Sequence, residues 1–516
     1  LGVRGWITAL DANTGKIAWR AYSMGPDADV LIGDQFHPFY EQDRGKDLGV
    51  KSWPPEAWKI GGGTVWGWVT YDPAANLVYY GTANPGPWNP DQRPGDNKWT
   101  SGIFARDLDT GQARWFYQWS THDLHDYDGV NESVLVDLDY GGKARKLLVH
   151  PDRNGYLYLM DRGIGEVLYA KPFVHITTST GVDLETGRLQ YNPAAKPIPG
   201  QVVRNGCPAS PGAKDWQPSA FSPKTKFLYI PQNNLCQDVE ATPTSYIAGT
   251  PYVGMEVRMN AGPGGRRGKF SAWDVAKGQE VWGIDEDFPA WSGAAVTAGG
   301  VVFYGTMEGW FKAVNAETGK ELWKFKTGSG IIGQPTVYRG PDGNEYVAIL
   351  SGVGGWSGAI VAGGLDPRDG SAALGFVNAM KDLPDKTARG GSSMSSPFAN
   401  RRSGAQVLVV ALCVLAVAAC EREERQFRPK PPEAALTNTI HMSPIQPGMP
   451  RQSVQTRNDY ESNAYAVAQG QQLFRAYNCN GCHSNGGGGM GPPLMDGKWI
   501  YGSDPANIVA TILEGR

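Results

Sequence analysis

Asp107-Leu108-Asp109-Thr110-Gly111, with Trp115 four residues further on, decides the fold of this chain because it is repeated. The pattern returns as Asp11-Ala12-Asn13-Thr14-Gly15 to Trp19 and as Asn315-Ala316-Glu317-Thr318-Gly319 to Trp323. With Lys in place of Thr it reads Asp274-Val275-Ala276-Lys277-Gly278 to Trp282, and a weaker copy without the Trp lies at Asp183-Leu184-Glu185-Thr186-Gly187. Each copy describes a hairpin: Asp or Asn and Gly make the turn, and the following strand carries a Trp into the space between neighbouring sheets. Trp282 and Trp323 are 41 residues apart, the spacing of one four-stranded propeller blade. Four copies with the Trp in register predict an all-β propeller; coincidental hairpins in a sandwich are the weaker alternative.

Composition agrees. The chain has 18 Trp and 68 Gly among 516 residues, both concentrated before residue 370, as expected of short strands and tight turns rather than helical packing. A formal net charge of −3 gives no footing for a nucleic-acid partner.

Between about 370 and 460 the character changes. Arg401-Arg402 precede an uninterrupted apolar run of 13 residues, Val407 to Ala419, short of the ~20 that a spanning helix needs. A basic start, a short apolar stretch and small residues before Cys420 describe a secretory signal, and the Cys after Ala418-Ala419 is similar to a bacterial lipobox, which makes Cys420 a candidate lipid anchor. Met394 is placed to begin such a signal, so two pre-proteins are expected to be joined here. The alternative is a buried apolar strand completing the propeller. Cys413 lies inside the run. Glu421 to Asn458, with six Pro, reads as a disordered tether. The expected organisation is a propeller over 1–390, a signal-like and Pro-rich linker over 394–458, and a third domain over 459–516.

That third domain opens with a helical pattern (Tyr465, Ala468, Leu473, Phe474, Tyr477) and continues Cys479-Asn480-Gly481-Cys482-His483. Cys-x-x-Cys-His is the c-type haem attachment motif. Cys479 and Cys482 would bind the haem covalently and His483 would supply the proximal nitrogen to iron, with a zinc or redox Cys-x-x-Cys as the alternative. The surrounding pattern, to Gly491-Pro492-Pro493-Leu494, is similar to an all-α class I cytochrome c.

Longer strings carry a family resemblance. Gly61-Gly62-Gly63-Thr64-Val65-Trp66-Gly67-Trp68, Gly81-Thr82-Ala83-Asn84-Pro85-Gly86-Pro87-Trp88-Asn89 and Arg93-Pro94-Gly95-Asp96-Asn97-Lys98-Trp99 resemble the methanol/ethanol dehydrogenases that use pyrroloquinoline quinone (PQQ). So do His122-Asp123-Leu124-His125-Asp126-Tyr127-Asp128-Gly129-Val130-Asn131, His150-Pro151-Asp152-Arg153-Asn154-Gly155 and Gly352-Val353-Gly354-Gly355-Trp356. The resemblance implies a propeller of the eight-bladed type, incomplete in this chain, and a periplasmic enzyme oxidising a short primary alcohol such as methanol or ethanol. It implies Trp66 as the ring on which the quinone stacks, Thr64 at the cofactor's edge, and Arg153 as the planar fork for its oxygens. Trp291 and Trp356 become walls of the chamber, and Asp215 stands where many relatives have a cofactor-contacting Asn. Most other Trp residues are expected in blade packing. Asp126 is implied to be the general base, and Asn84, Asp126 and Asp128 to be metal ligands. Cys207 and Cys236 fall at the family's disulfide positions.

Asp128 bears on the ion. Calcium-type relatives have a small residue there and lanthanide-type relatives an Asp; a trivalent hard ion is better neutralised by one more carboxylate. A lanthanide is therefore expected, with Ca2+ as runner-up. In a strand, Asp126 and Asp128 would share a face. His122 and His125 are read as structural, since a hard ion does not favour imidazole. The resemblance also puts a metal-binding Glu and an adjacent-cysteine disulfide upstream of Leu1, and a haem axial Met beyond Arg516, Met490 and Met495 being close to His483.

The leading expectation is thus a quinoprotein alcohol dehydrogenase with PQQ, a lanthanide(III) or Ca2+ and haem c, passing electrons to a cytochrome c. A second is an electron carrier in which only the haem module works. A third is a binding propeller of the outer-membrane assembly type, which has blade repeats but lacks the Trp66, Asn84 and Asp126 set.

Overall fold

The structure, a computed structural model, describes residues 2–248, 252–363, 365, 373, 375–388, 390–397, 463–476, 505, 508 and 509. The chain divides into two compact units, Leu1–Asn400 and Arg401–Arg516.

Leu77–Thr82 is buried along its whole length, the mark of a strand in the middle of a covered sheet. It pairs antiparallel with Val69–Asp72 and with Gly102–Asp107, and Ala113–Gln118 completes a four-stranded meander. The same unit recurs over 134–172, 220–286 and 295–326. Trp6–Leu10 with Ile17–Tyr22 forms a two-stranded sheet, and Thr336–Arg339, Glu345–Gly352 and Gly391–Pro397 form a three-stranded one. These are the blades of a β-propeller. Apolar layers lie between successive sheets: Ile103 and Trp115 pack with Leu148 and Met160, Leu147 and Leu159 with Leu228 and Trp273, and Phe270 with Val302 and Tyr304.

The repeated turn holds the blades in register. Its first residue fixes the turn: Asp107 Oδ1 accepts the Thr110 N–H and hydroxyl, both at 2.9 Å, and Asn315 Oδ1 does the same for Thr318 at 3.0 Å. The glycine then takes φ +70° at Gly111 and Gly319, a conformation that favours a residue without Cβ. The aromatic of one blade lies on the turn of the next and donates to its second carbonyl. Trp19 Nε1 reaches Leu108 O at 2.8 Å, Trp115 Nε1 reaches Arg162 O at 3.2 Å, and Trp282 Nε1 reaches Ala316 O at 3.1 Å. A Cβ on Gly111 would lie 2.5 Å from the Trp19 ring, so the glycine also makes room for its neighbour.

Two readings of the repeat change. The Asp183–Gly187 copy is a real turn, but it joins Ser179–Val182 to Leu189–Tyr191 in a separate two-stranded hairpin, where Gly187 receives Tyr40. The blade copy that the pattern missed is Asp161–Gly165, which lacks the Thr and is followed by Tyr169 in place of Trp. Tyr169 still docks forward, its hydroxyl donating to Val275 O at 2.7 Å. The blade 220–286 carries an excursion: Leu235–Ala241 and Met255–Ala261 leave between its second and third strands and pair with Val203–Gly206. Cys207 and Cys236 form a disulfide at the base of this excursion.

Gly391–Pro397 carries the last sheet past the boundary expected at residue 390 and through Met394. The apolar run with Cys413 and Cys420, and the Cys479-Cys482-His483 motif, lie outside the described residues. In the second unit Ala464–Ala476 is the helix expected from the sequence, and Asn463 Oδ1 caps it by accepting the Ala466 N–H at 3.0 Å.

Candidate active site

A cavity of about 460 Å³ opens among the loops that leave these blades. Asp126, Asp128, Arg153, Ser210, Asp215 and Trp216 line it together with Trp88, Trp291, Ile332 and Trp356. Arg153 ties Asp128, Asp215 and Ser210 into a polar end, and Trp88, Trp291 and Ile332, which share one hydrophobic cluster, make the apolar end with Trp356. Its size suits a small-molecule ligand. A larger groove of about 710 Å³ lies between residues 27–46 and Ile164, but its titratable side chains are exposed or half-buried, so the chemistry points to the smaller cavity.

The strand Leu77–Thr82 builds the polar end. A Cβ on Gly81 would lie 1.7 Å from Gly129 O, and this close approach lets the 121–130 loop run along the strand end. Gly129 N–H donates to Thr82 O, Ala83 N–H to Thr64 O, and Gly63 N–H to Asn84 O. Asn84 is thereby set beside Asp128, whose Oδ1 accepts the Asn84 backbone N–H at 2.6 Å. The Asn84 side-chain NH2 donates to Pro85 O at 3.2 Å, which assigns the other terminus as its acceptor oxygen.

Asp126 and Asp128 do meet at one cavity, but not as neighbours on a strand. They stand in an irregular loop, with Asp126 at φ +68°. Asp123, buried just before them, holds that conformation: its Oδ2 accepts the N–H of Asp126 at 2.9 Å and of Tyr127 at 3.2 Å, and its Oδ1 that of His125 at 3.2 Å. Arg93, wholly buried, braces the same loop by donating to Asp123 O, to Pro87 O and to Asn97 Oδ1. Burial raises the Asp123 carboxyl to about 6 against the pull of Arg93.

Arg153 is the charge centre. Nη1 is 3.2 Å from Asp128 Oδ2, Nη2 is 2.5 Å from Asp215 Oδ1, and Nη1 also donates to Ser210 O at 3.2 Å. Gly212 leaves space for it, since a Cβ there would lie 2.5 Å from the Arg153 side chain. Burial works against the guanidinium charge, but Asp215, Asp128 and Asp126 together hold its pKa above the ordinary value. Burial, then the Asp128 charge, push the Asp126 carboxyl well above the usual range, with Arg153 opposing. Burial raises Asp128 as well, again opposed by Arg153.

Three carboxylates thus face one guanidinium, an excess of negative charge that a hard cation would offset. Among the described residues no three His, Cys, Asp or Glu side chains are placed to hold a metal ion by themselves, so an ion here would draw on Asp126, Asp128 and the Asn84 amide oxygen. No hydrogen bond to the Asp126 carboxylate comes from the described residues. Among the described residues neither ring nitrogen of the buried His125 has a partner, and His122 Nδ1 lies 2.7 Å from Gly95 O; neither histidine lines the cavity.

The aromatic residues divide. Trp66 is 44 % exposed with the Arg153 guanidinium carbon 5.4 Å from its ring centre, a free aromatic face beside the cation. Thr64 O accepts the N–H of Ala83, just past the strand Leu77–Thr82. Trp291 and Trp356 reach the cavity directly. Trp88, Ser210 and Ile332 are lining residues that the sequence reading did not single out, although Trp88 lies inside a quoted family string. Asn233 and Phe376 had no signal at all: Asn233 Oδ1 accepts the Trp291 indole N–H at 3.1 Å, and Phe376 stacks on Trp291.

Comparisons with known proteins bear on the family. Residues 2–174 match the family model for the glucose/ethanol/alcohol dehydrogenase β-propeller domain. Residues 266–349 match that of the outer membrane protein assembly factor BamB, and residues 465–516 that of cytochrome c oxidase, cbb3-type, subunit III. A lanthanide-dependent methanol dehydrogenase of Methylacidiphilum fumariolicum (strain SolV) is 50% identical over 396 residues, 76% of this chain and 65% of that protein. The structure of a europium-containing methanol dehydrogenase aligns with TM-score 0.75 and 50% identity, over 77% of this chain and 70% of that one. A quinohemoprotein alcohol dehydrogenase from Comamonas testosteroni aligns with TM-score 0.64 and 25% identity, over 98% of this chain and 68% of that one. The chain spans about two thirds of the length of the curated relatives it matches, 65% of the first.

Proposed function

The chain belongs to the PQQ-dependent methanol/ethanol dehydrogenase family, and from that premise we propose that its propeller oxidises a short primary alcohol to the aldehyde, in the periplasm, with electrons passing to a c-type haem. The observation that carries the proposal is one cavity lined by Asp126, Asp128 and Arg153 together with Trp88, Trp216, Trp291 and Trp356. The polar end suits a hydroxyl and an ion, and the apolar end suits a short carbon chain.

Trp66, Arg153 and Asp215 would hold PQQ, with Thr64 at its edge and Trp291 and Trp356 closing the chamber. Asn84, Asp126 and Asp128 would hold the metal. When bound, PQQ supplies the two-electron acceptor and the metal the Lewis acidity that makes it electrophilic. Asp126 takes the hydroxyl proton; its carboxylate is the one at this end that no backbone or guanidinium donor of the described residues occupies. Arg153 and the Asn84 N–H hold Asp128 still, so the base and the ligand have separate supports. The additional carboxylate of Asp128 favours a lanthanide over Ca2+. Cys479 and Cys482 would carry the haem and His483 its proximal ligand, and Cys420 a lipid anchor.

The test is to load the full chain with PQQ and either La3+ or Ca2+ and follow dye-linked methanol oxidation. Turnover with quinone and ion bound is expected, faster with La3+. Bound quinone and ion without turnover by either metal would overturn the proposal. The match of residues 465–516 to a cytochrome model favours a second reading, a haem carrier on a non-catalytic propeller; haem reduction by an external donor with no alcohol-dependent reduction would select it.

A further inference from the structure

The apolar end of the cavity rests on one side chain that does not line it. Phe376 is wholly buried behind the wall. Its ring stacks on Trp291 at 5.0 Å between centres and 7° between planes, and meets Trp356 at 5.7 Å and 46°. One ring therefore backs both walls.

The two walls are held unequally. Trp291 has a second anchor, its indole N–H on Asn233. Trp356 rides on the short helix Gly355–Val361, is 38 % exposed, and no hydrogen bond fixes its indole among the described residues. Phe376 itself is locked in place. Gly375 enters its helix at φ +79°, where a Cβ would lie 2.2 Å from Val257 O. Met259 N–H donates to Gly375 O at 3.1 Å, Asn378 donates to Met259 O and Asn260 Oδ1 at 2.8 Å each, and Arg267 donates to Ala379 O at 2.8 Å. The wedge is thus fastened to the strand Met255–Ala261, while the wall resting on it can shift.

We propose that Phe376 is a positioning residue that sets the width of the apolar end, and with it the upper size limit on the alcohol's carbon chain; this rests on the alcohol-oxidation reading above. A smaller side chain lets Trp356 fall back toward the vacated volume, because close-packed interiors relax into space left behind them. The polar end is held by other segments, those carrying Asn84, Asp128 and Arg153, and keeps its geometry.

The experiment compares the full chain with Phe376→Leu and Phe376→Tyr, loaded with PQQ and La3+, on methanol, 1-butanol and 1-hexanol. Phe376→Leu is expected to raise the ratio of kcat/KM for 1-hexanol over methanol by about tenfold, the lower end of what one methylene is worth in an apolar pocket. The change comes mainly through KM for the longer alcohol, and Phe376→Tyr, which keeps the ring, restores the parent ratio. In the cofactor-free chain, Phe376→Leu is expected to weaken the Trp bands of the near-UV circular dichroism, and Phe376→Tyr to retain them. Equal loss on all alcohols with an unchanged ratio, or unaltered Trp bands in Phe376→Leu, would show a merely structural residue and overturn the proposal. Absence of turnover on any alcohol by the parent chain would overturn the reading beneath it, and this size limit with it.

Discussion

Arg153 and Asp128 form a buried ion pair, Nη1 to Oδ2 at 3.2 Å, while the other oxygen of Asp128 already accepts the Asn84 N–H. Asp128 is therefore fixed from two sides by the protein itself, whereas the Asp126 carboxylate beside it has no such donor among the described residues. Replacing Arg153 by Met would leave Asp128 and Asp215 buried without their cation. The expected loss is about 3–5 kcal/mol of stability, read from urea unfolding of the cofactor-free chain. A loss within the error of a surface substitution would mean that the pair does not organise the site.

Asp128→Ala separates the two metals. It removes one carboxylate from a site that would hold a trivalent ion, and the weaker demand of Ca2+ should suffer less. La3+ affinity is expected to fall by on the order of 10–100-fold, a range typical even of supporting partners at metal sites, and La3+-supported activity to fall more than Ca2+-supported activity. Equal losses with both ions would contradict the role given to Asp128.

The docking aromatics differ in what they touch. Trp115 is buried and bonded to the next turn, so Trp115→Ala is expected to cost about 3–5 kcal/mol. Trp323 occupies the matching place in the blade 295–326, but it is 38 % exposed and meets only Phe311 and Phe325 among aromatic rings of the described residues. Trp323→Ala should cost about 1 kcal/mol or less. Similar unfolding midpoints for the two variants would refute the docking account.

Much of this was legible because the turn encodes its own geometry. Asp107, Thr110 and Gly111 each have a local reason to stand where they do, and so does Asn315 with Thr318. Where the same job is done by other residues the pattern fails: Asp161–Gly165 turns without a Thr, and Tyr169 docks through a hydroxyl instead of an indole. The Asp183 copy misled for the opposite reason, since a turn's sequence does not say which sheet its strands join. At the site, Asp126, Asp128 and Arg153 were readable as a set, but the strand geometry expected of Asp126 and Asp128 was not, because Asp123 holds a loop there with its carboxylate. Phe376 and Asn233 act only through tertiary contact, and no local spacing announces them.

The Cys207–Cys236 bridge spans 29 residues of chain and ties the excursion over 203–261 to its base. Reducing it should lower stability by about 3–4 kcal/mol on the loop-closure estimate, seen as a shift in the urea midpoint with and without dithiothreitol. No shift would mean that the strands Val203–Gly206 and Leu235–Ala241 hold the excursion without it.

The most direct measurement of the central claim is dye-linked alcohol oxidation by the full chain and by Asp126→Asn, each with its bound PQQ and La3+ quantified. Asparagine keeps the shape and an oxygen for the ion but cannot take a proton. The variant is expected to retain quinone and metal and to lose about 10²–10⁴-fold in kcat, the range for removal of a general base. Retention of quinone and metal with kcat within about threefold of the parent, far short of that range, would contradict the assignment of Asp126 as the base.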